Sequence, residues 1–479
     1  MEDTKIKAIR SIKWTALSEI ISRSIQPIVT LILARLLTPA DFGVVGVAMI
    51  AIGLAQIFQD FGLGKTLIQR ETEVEKTANI VFLTNLVLSV VIYFIIFFTA
   101  PLISKFFHEP KIINVLRVLC LQIILLSFIV VHQALFQRNF QFKQLFFIRL
   151  FSSAVPGFVS IPMAIYGYGV WALVLGSLAG SLSNVLLFWK FSRWRPTLSY
   201  DFQLAKQLFG FSSWVMLEAF LGWLILWGDS IILGHFLGVK ELGVYRVGVT
   251  FIMLLFGIFF NSLLPIAYSA FSRLQSNHEE LKQSFLKATK LISSTSLPVG
   301  AGLAVLSRFI SSIIFGHKWY GIEIVISIIG IMFAVAWLVG INPEVYRAIG
   351  RPDINSKLLF VNVIYYLPIY IFAAPYGLLV FCIARLTVAV ISMSLHLYFV
   401  NKILKLRYTY LADCGKEPLV ASIIMVGVLY LVKFFMGNTT TSGLIILICI
   451  GITTYVTSLW FIKKELIFQF LKLVKEGLG

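Results

Sequence analysis

Ionisable side chains lie inside long apolar runs of this sequence, among them Glu19, Arg23, Arg117, Arg149, Glu218, Asp229, Arg246 and Arg385. A charge in such a run is expensive, so these groups normally face a wet cavity or one another. The arginines stay charged in a low-dielectric site and grip phosphate oxygens in bidentate fashion. A carboxylate in such a cavity takes up a proton more readily than in water, as a proton-linked step requires. The chemistry on offer is recognition of an anionic group in a cavity of cationic bias. Glu19, Glu218 and Asp229 are the candidates for coupling to an ion. Arg23, Arg149 and Arg385 are the foremost anion contacts. For Arg23, a structural ion pair with Glu19, one helical turn away on the same face, stands as an equal alternative. Arg117, Arg149 and Arg246 lie within two turns of the end of a run, from which they also reach lipid phosphates by snorkelling. Asp60 sits at the end of its run, where water reaches it.

Aromatic residues make up 14% of the chain, and sugar rings stack on them. Trp171, Trp189, Trp194 and Trp319 map to the ends of runs, where interfacial belts place tryptophan in any case. Trp14, Trp214, Trp223, Trp227 and Trp337 are the cavity candidates, Trp223 and Trp227 foremost. His132 and His396 read as packed or hydrogen-bonded residues. Cys120, Cys382, Cys414 and Cys449 show neither paired nor metal-ligand spacing. No cofactor motif is present: Gly62-Leu63-Gly64-Lys65-Thr66 echoes the end of a phosphate-binding loop, but Gln59 stands where that loop needs its first glycine. Asn438-Thr439-Thr440 fits a glycosylation sequon but sits close to the membrane.

The elements that position these residues follow from composition. Of the 479 residues 59% are hydrophobic and 13% charged, with a mean hydropathy of +0.91. Soluble domains carry about a quarter charged residues, and surface-to-volume scaling leaves no core large enough to hide such an apolar excess. The solvent for most of the chain is lipid. Runs of about twenty apolar residues, enough to cross a ~30 Å hydrocarbon core, recur along the chain. They lie near 14–36, 42–62, 79–101, 113–136, 145–166, 169–189, 209–237, 244–267, 292–315, 323–345, 358–375, 377–400, 418–437 and 442–462. None alternates as a β-barrel strand does. The expected fold is all-α and polytopic with about fourteen transmembrane helices. The breaks at 166–169 and 375–377 are the thinnest, each punctuated by little more than a Tyr-Gly pair.

The net charge of +18 gains its meaning from where it sits. With both termini cytoplasmic, 28 of the 40 lysines and arginines fall on the cytoplasmic side. That is the positive-inside bias of a plasma-membrane protein facing anionic lipid, and nucleic acid drops out as a partner. The first apolar run is too long for a signal-peptide core, and it reads as a retained span. The stretch from Phe271 to Lys290 and the tail from Lys463 to Leu478 mix apolar and charged residues as amphipathic helices on the inner leaflet do.

The chain also resembles itself at an offset of 200: residues 31–48 align with 231–248, so that Leu33 meets Leu233, Asp41 meets Glu241 and Gly43 meets Gly243. Tyr168-Gly169 is echoed by Tyr376-Gly377. An even number of helices per copy gives two copies of the same orientation, related by an axis along the membrane normal. The organisation expected is an N-terminal lobe over 1–190, a cytoplasmic linker over 191–206, a C-terminal lobe over 207–400, and two further helices with an amphipathic tail over 401–479. Thr38-Pro39-Ala40-Asp41 reads as a helix stop and restart, with Thr38 capping and Pro39 in the first turn. Gly43 and Gly46 are spaced for close helix approach.

Arg35-Leu36-Leu37-Thr38-Pro39-Ala40-Asp41-Phe42-Gly43, Asp60-Phe61-Gly62-Leu63-Gly64 and Leu67-Ile68-Gln69-Arg70 resemble the Wzx-type polysaccharide flippases, in particular the branch exporting colanic-acid and teichuronic-acid repeat units. These belong to the multidrug/oligosaccharidyl-lipid/polysaccharide superfamily. The resemblance implies a MATE-like fold of two six-helix lobes plus two helices. It implies an undecaprenyl-diphosphate-linked oligosaccharide as substrate, moved from inner to outer leaflet by alternating access. Polysaccharide polymerase and export machinery are the implied neighbours. A relative in the superfamily that flips the peptidoglycan precursor uses arginines on its first span, which adds weight to Arg23. Two rivals fit less well. A cation-coupled multidrug antiporter of the same fold favours acidic cavities. A membrane glycan polymerase or ligase needs a sizeable outer loop and a nucleophile–base pair, and neither is visible.

Overall fold

The computed structural model describes residues 25–60, 67–68, 72–197, 199–203, 205, 212–436 and 440–478. Among them there is no strand. The principal helices are α1 (Ile25–Leu36), α2 (Pro39–Asp60), α3 (Val74–Phe106), α4 (Ile112–Leu119), α5 (Leu121–Arg138), α6 (Phe142–Ile165) and α7 (Val170–Phe191). They continue as α8 (Ser212–Arg273), α9 (His278–Ile310), α10 (Ile322–Trp337), α11 (Asn342–Ala348), α12 (Pro352–Ala373), α13 (Leu378–Leu404), α14 (Tyr408–Met436) and α15 (Thr441–Leu478). Among the described residues, twelve helical stretches are long and apolar enough to cross a membrane, and α1 is a shorter apolar helix. The surface is that of a lipid-dissolved protein: Phe98, Phe158, Phe434 and Phe461 are 71–88% exposed. In water such a surface is a large association patch; against lipid tails it is neutral.

The thin breaks are present. Residues 166–169 leave the helix between α6 and α7, and a short 3₁₀ turn, Ala374–Tyr376, ends at Gly377 before α13. The reversal between the runs at 209–237 and 244–267 is tighter than the sequence suggests. Helix α8 continues through Lys240 and Glu241 and breaks only at Gly238 (φ 85°, ψ 174°). That is a conformation glycine adopts without strain. The stretch from Phe271 to Lys290 corrects an expectation. It is not a separate surface helix: α8 runs on to Arg273, and α9 starts at His278 with Asn277 Oδ1 accepting from the Glu280 N–H at 3.3 Å. Phe271, Leu281 and Phe285 are buried, so the apolar face of this stretch packs against protein. Helix α15 breaks at Lys463 (φ −161°, ψ 83°), the start of the tail.

Two compact units divide the chain, one ending at Val247 and the other beginning at Gly248. In the first, α3 packs on α5, α5 on α7 and α6 along α7. The polar segment after α7 is fastened to this unit. Asn79 on α3 donates to Thr197 Oγ1 (2.6 Å) and accepts its backbone N–H (2.9 Å), while Arg195 donates to the carbonyls of Ser192 and Trp194. His132 is buried with its ring 5.2 Å from Trp189 and 5.3 Å from Trp194, a packing role. In the second unit, α9 packs along α10 and α14, α10 on α13, and α14 on α15. Trp319, expected at an interfacial belt, is instead fully buried in a 3₁₀ turn against Phe315. His396 stacks on Tyr346, with ring centres 6.1 Å apart.

Candidate functional site

The first unit holds a polar cluster inside apolar helix. Thr38 closes the start of α2, its hydroxyl donating to Asp41 Oδ2 (2.6 Å) while Asp41 Oδ2 also accepts the Thr38 N–H (3.0 Å). This box points α2 along the limb of α8 that follows Gly238. A Cβ on Gly43 would stand 1.7 Å from the Val239 carbonyl oxygen, and one on Gly243 would stand 1.8 Å from that of Pro39. Positions 39 and 239, like 43 and 243, are separated by the repeat offset. The contact is therefore reciprocal, as across a two-fold axis. Gly46 is in ordinary contact with Leu242.

Deeper along α2, the indole N–H edges of Trp223 and Trp227 turn toward Gly53, whose missing side chain leaves them room. Trp223 donates to the Ile50 carbonyl at 3.3 Å. Arg246 lies over the Trp227 ring, 4.1 Å from its centre, and Asp229 acts on its guanidinium electrostatically. Asp229 is 4% exposed. It accepts from Tyr245 Oη on Oδ2 (2.5 Å), and from the Ser230 N–H (2.5 Å) and hydroxyl (2.9 Å) on Oδ1. Four residues singled out from the sequence are thus brought together: Trp223, Trp227, Asp229 and Arg246. The cluster presents indole edges and a cation held over an aromatic face, the groups that recognise a sugar and an anion.

The remaining candidates are placed otherwise. Arg117 donates Nε–H to the Phe97 carbonyl (3.3 Å) and lies 4.3 Å over the Phe97 ring, fastening α4 to α3. Arg149 and Arg385 are half-buried on α6 and α13. Glu19, Arg23 and Trp14 lie outside the described residues, as do the side chains of Glu218, Trp214 and Asp60. Trp337 stacks on Phe260 at 4.1 Å in the second unit. Ser230, Tyr245 and Gly53 were not anticipated. The only local signal for Tyr245 is a polar ring beside Arg246 in an otherwise apolar limb.

The second unit holds a cavity of about 1010 Å³ along α9, between the second limb of α8 and the pair α14–α15. Its lining is aliphatic and aromatic, with Leu303, Met425, Leu429 and Leu447 along it, and no Asp or Glu contributes. Lys287 lies at one end. Beside that end, Glu417 bridges Lys463 (2.9 Å) and Lys290 (3.5 Å), tying α14 to α9 and to the break in α15.

A chain of apolar helices built this way is a polytopic membrane protein of transporter fold. It superposes on the lipid II flippase MurJ in its inward closed conformation with a TM-score of 0.77 at 15% identity, covering 95% of this chain and 100% of that one. The family described as "Polysaccharide biosynthesis protein" matches residues 32–324, and the chain belongs to it. Among its relatives are the teichuronic acid biosynthesis protein TuaB of Bacillus subtilis, 23% identical over 71% of each chain, and the lipopolysaccharide biosynthesis protein WzxC of Escherichia coli. The latter is 25% identical over 76% of this chain and 74% of its own.

Proposed function

We propose that this protein is a flippase for an undecaprenyl-diphosphate-linked oligosaccharide, moving it from the inner to the outer leaflet of a bacterial plasma membrane by alternating access. The observation that carries the proposal is the Arg246–Trp227–Trp223–Asp229 cluster inside membrane-spanning helix. Such a site suits a polar cargo that must enter the bilayer interior. The arginine supplies the anion contact and the indoles supply faces for sugar rings. The apolar cavity of the second unit suits the polyprenyl tail, which water excludes and aliphatic walls accept. The names of the relatives, among them a teichuronic acid and a lipopolysaccharide biosynthesis protein, support the same class of cargo.

The topology proposed has fourteen spans, counting α1 and dividing α8 at Gly238, with both termini cytoplasmic. The N-terminal lobe takes residues 1–190 and the C-terminal lobe 207–400, joined by 191–206 and followed by 401–479. The reciprocal contact of Gly43 and Gly243 supports the parallel repeat. Arg23 and Arg149, and within the second unit Arg385, are the further anion contacts proposed, while Arg117 is engaged with the carbonyl and ring of Phe97. Glu19, Glu218 and Asp229 are the carboxylates for any coupling ion. Anionic inner-leaflet lipid faces the basic cytoplasmic connections, and the polymerase and export machinery act on the delivered product. A multidrug antiporter is disfavoured by the absence of acid in the apolar cavity and by the arginine held in the polar cluster.

A deletion strain tests this directly. Undecaprenyl-linked repeat units should accumulate on the inner leaflet and disappear when the gene is restored. Accumulation on the outer leaflet would point instead to a polymerase or ligase.

A further inference from the structure

Two histidines of the first unit, His108 in the turn after α3 and His235 on the first limb of α8, stand with ring centres 5.5 Å apart. His235 is held in one orientation. Its Nδ1–H donates to the Phe106 carbonyl at 2.7 Å, and its ring stacks on that of Phe106, 4.3 Å away. A carbonyl only accepts, so in the neutral ring Nδ1 carries the proton and Nε2 keeps its lone pair. The turn that carries His108 is also well fastened. Its backbone there is left-handed (φ 56°), a conformation few side chains adopt. The His108 N–H donates to the Lys105 carbonyl (3.3 Å) and the Glu109 N–H to that of Ser104 (3.2 Å), while the Ser104 hydroxyl donates to the Glu109 carbonyl (2.9 Å). Phe107 is buried against α8, where a Cβ on Gly234 would stand 2.8 Å from its ring. Glycine at 234 thus lets the turn come close enough for the two imidazoles to meet.

A metal-ligating histidine donates its second ring nitrogen to a carbonyl or carboxylate, which orients the ring and sets its tautomer. His235 is built that way. Zinc takes imidazole nitrogens at about 2.0–2.1 Å, which puts the centres of two rings sharing one tetrahedral ion about 5–6 Å apart. The 5.5 Å between His108 and His235 lies in that range. His108 is exposed, so an ion reaches the pair from solvent. Among the described residues no third His, Cys, Asp or Glu completes the group. Water fills the remaining positions, which makes the site open and exchangeable, unlike a closed structural zinc site.

We propose that His108 and His235 form a site for a divalent transition-metal ion of the zinc class, which clips the end of α3 to the first limb of α8. Imidazole suits such ions, whereas magnesium and calcium prefer oxygen ligands. On the proposed topology both residues lie on the outer side, His108 after the third span and His235 near the end of the seventh. They come from segments assigned to different lobes. An ion held between them therefore resists any parting of these segments on the outer side. That consequence, and it alone, rests on the flippase reading: release of cargo outward requires the parting, so the bound ion slows export.

Zinc titrated into the purified full-length protein, free of any affinity tag, tests the site. The wild type should bind zinc at least tenfold more tightly than the double variant H108Q/H235Q, and each single change should weaken binding. H317Q, which alters an exposed histidine elsewhere, should bind like the wild type. Equal zinc affinity in the wild type and H108Q/H235Q would overturn the site, and so would displacement of the zinc by equimolar magnesium. Zinc should raise the melting temperature of the wild type and not that of H108Q/H235Q. Matching melts of the two proteins without zinc separate a lost ligand from a lost fold. In cells, zinc added outside should lower surface glycan in the wild type and spare H108Q/H235Q. Equal sensitivity of the two strains would overturn the clip. The binding arm holds whatever the cargo is, so failure of the flippase reading shows in the deletion strain and not in the titration.

Discussion

Asp229 shows how a single buried carboxylate organises its surroundings. Both oxygens accept hydrogen bonds, and Tyr245 reaches it from the far side of the reversal at Gly238. A hydrogen bond to a charged group is worth about 1.5–3 kcal/mol. Tyr245→Phe should therefore lower the stability of the detergent-purified protein by about that amount, seen as an earlier melt. An unchanged melt would show that the hydroxyl does not hold Asp229. Arg246 makes a different prediction. Its guanidinium carbon lies 4.1 Å from the centre of the Trp227 ring, a cation–π contact worth about 0.5–2 kcal/mol that lysine reproduces poorly. Arg246→Lys should reduce surface glycan severalfold at normal protein level, and Arg246→Ala should abolish it. Full export by Arg246→Lys would mean that charge alone matters there. The members of this cluster were partly legible in the sequence, because an arginine, an aspartate and tryptophans are conspicuous in apolar runs. Tyr245 and Gly53 were not: a tyrosine or glycine in a membrane helix is ordinary, and only the chain reversal and the close pass of α2 give them partners.

At the scale of elements, positions 200 residues apart in the sequence come into contact. Proline and glycine at 39 and 43 meet valine and glycine at 239 and 243 with no space for a Cβ on either glycine. Overpacking a tight contact costs about 1–3 kcal/mol. Gly43→Val and Gly243→Val should each destabilise the protein by at least that much, and to similar degrees if the two sides are equivalent. Gly222, with open space around its Cα, is the internal control. Gly222→Ala should be neutral or stabilising by up to about 1 kcal/mol, since glycine is a poor residue in a helix. Thermal unfolding of the three variants decides the matter, and a tolerated Gly243→Val would remove the close approach. Hydrophobic runs and the Tyr-Gly breaks made most helices legible. The stretch from Phe271 to Lys290 was misjudged because one pattern has two solutions. A mixed apolar and charged helix lies on a membrane, or it extends a spanning helix beyond the bilayer with its apolar face against protein. The burial of Leu281 and Phe285 selects the second.

For the whole molecule, topology is what converts a charge count into a direction of transport. The basic residues crowd alternate connections, so one misplaced break would invert every later segment. Residues 166–169 and 374–377 are where such an error would enter. Both are flanked by exposed tyrosines, Tyr168 at 58% and Tyr376 at 65%, and Phe202 after α7 is 80% exposed. In a background with the four cysteines replaced, single variants Tyr168→Cys, Tyr376→Cys and Tyr320→Cys should react with a membrane-impermeant maleimide in intact cells or spheroplasts. Phe202→Cys and Phe140→Cys should react only after the membrane is opened. The pattern is demanding, because Tyr168 and Phe202 are separated by α7 alone. If α6 and α7 crossed as one helix, the two positions would no longer label from opposite sides. If α12 and α13 did so, Tyr376 would be protected from outside. Labelling of Phe202→Cys in intact cells would invert every segment after α7, and the positive charge that faces anionic inner-leaflet lipid would then lie on the wrong side of the bilayer.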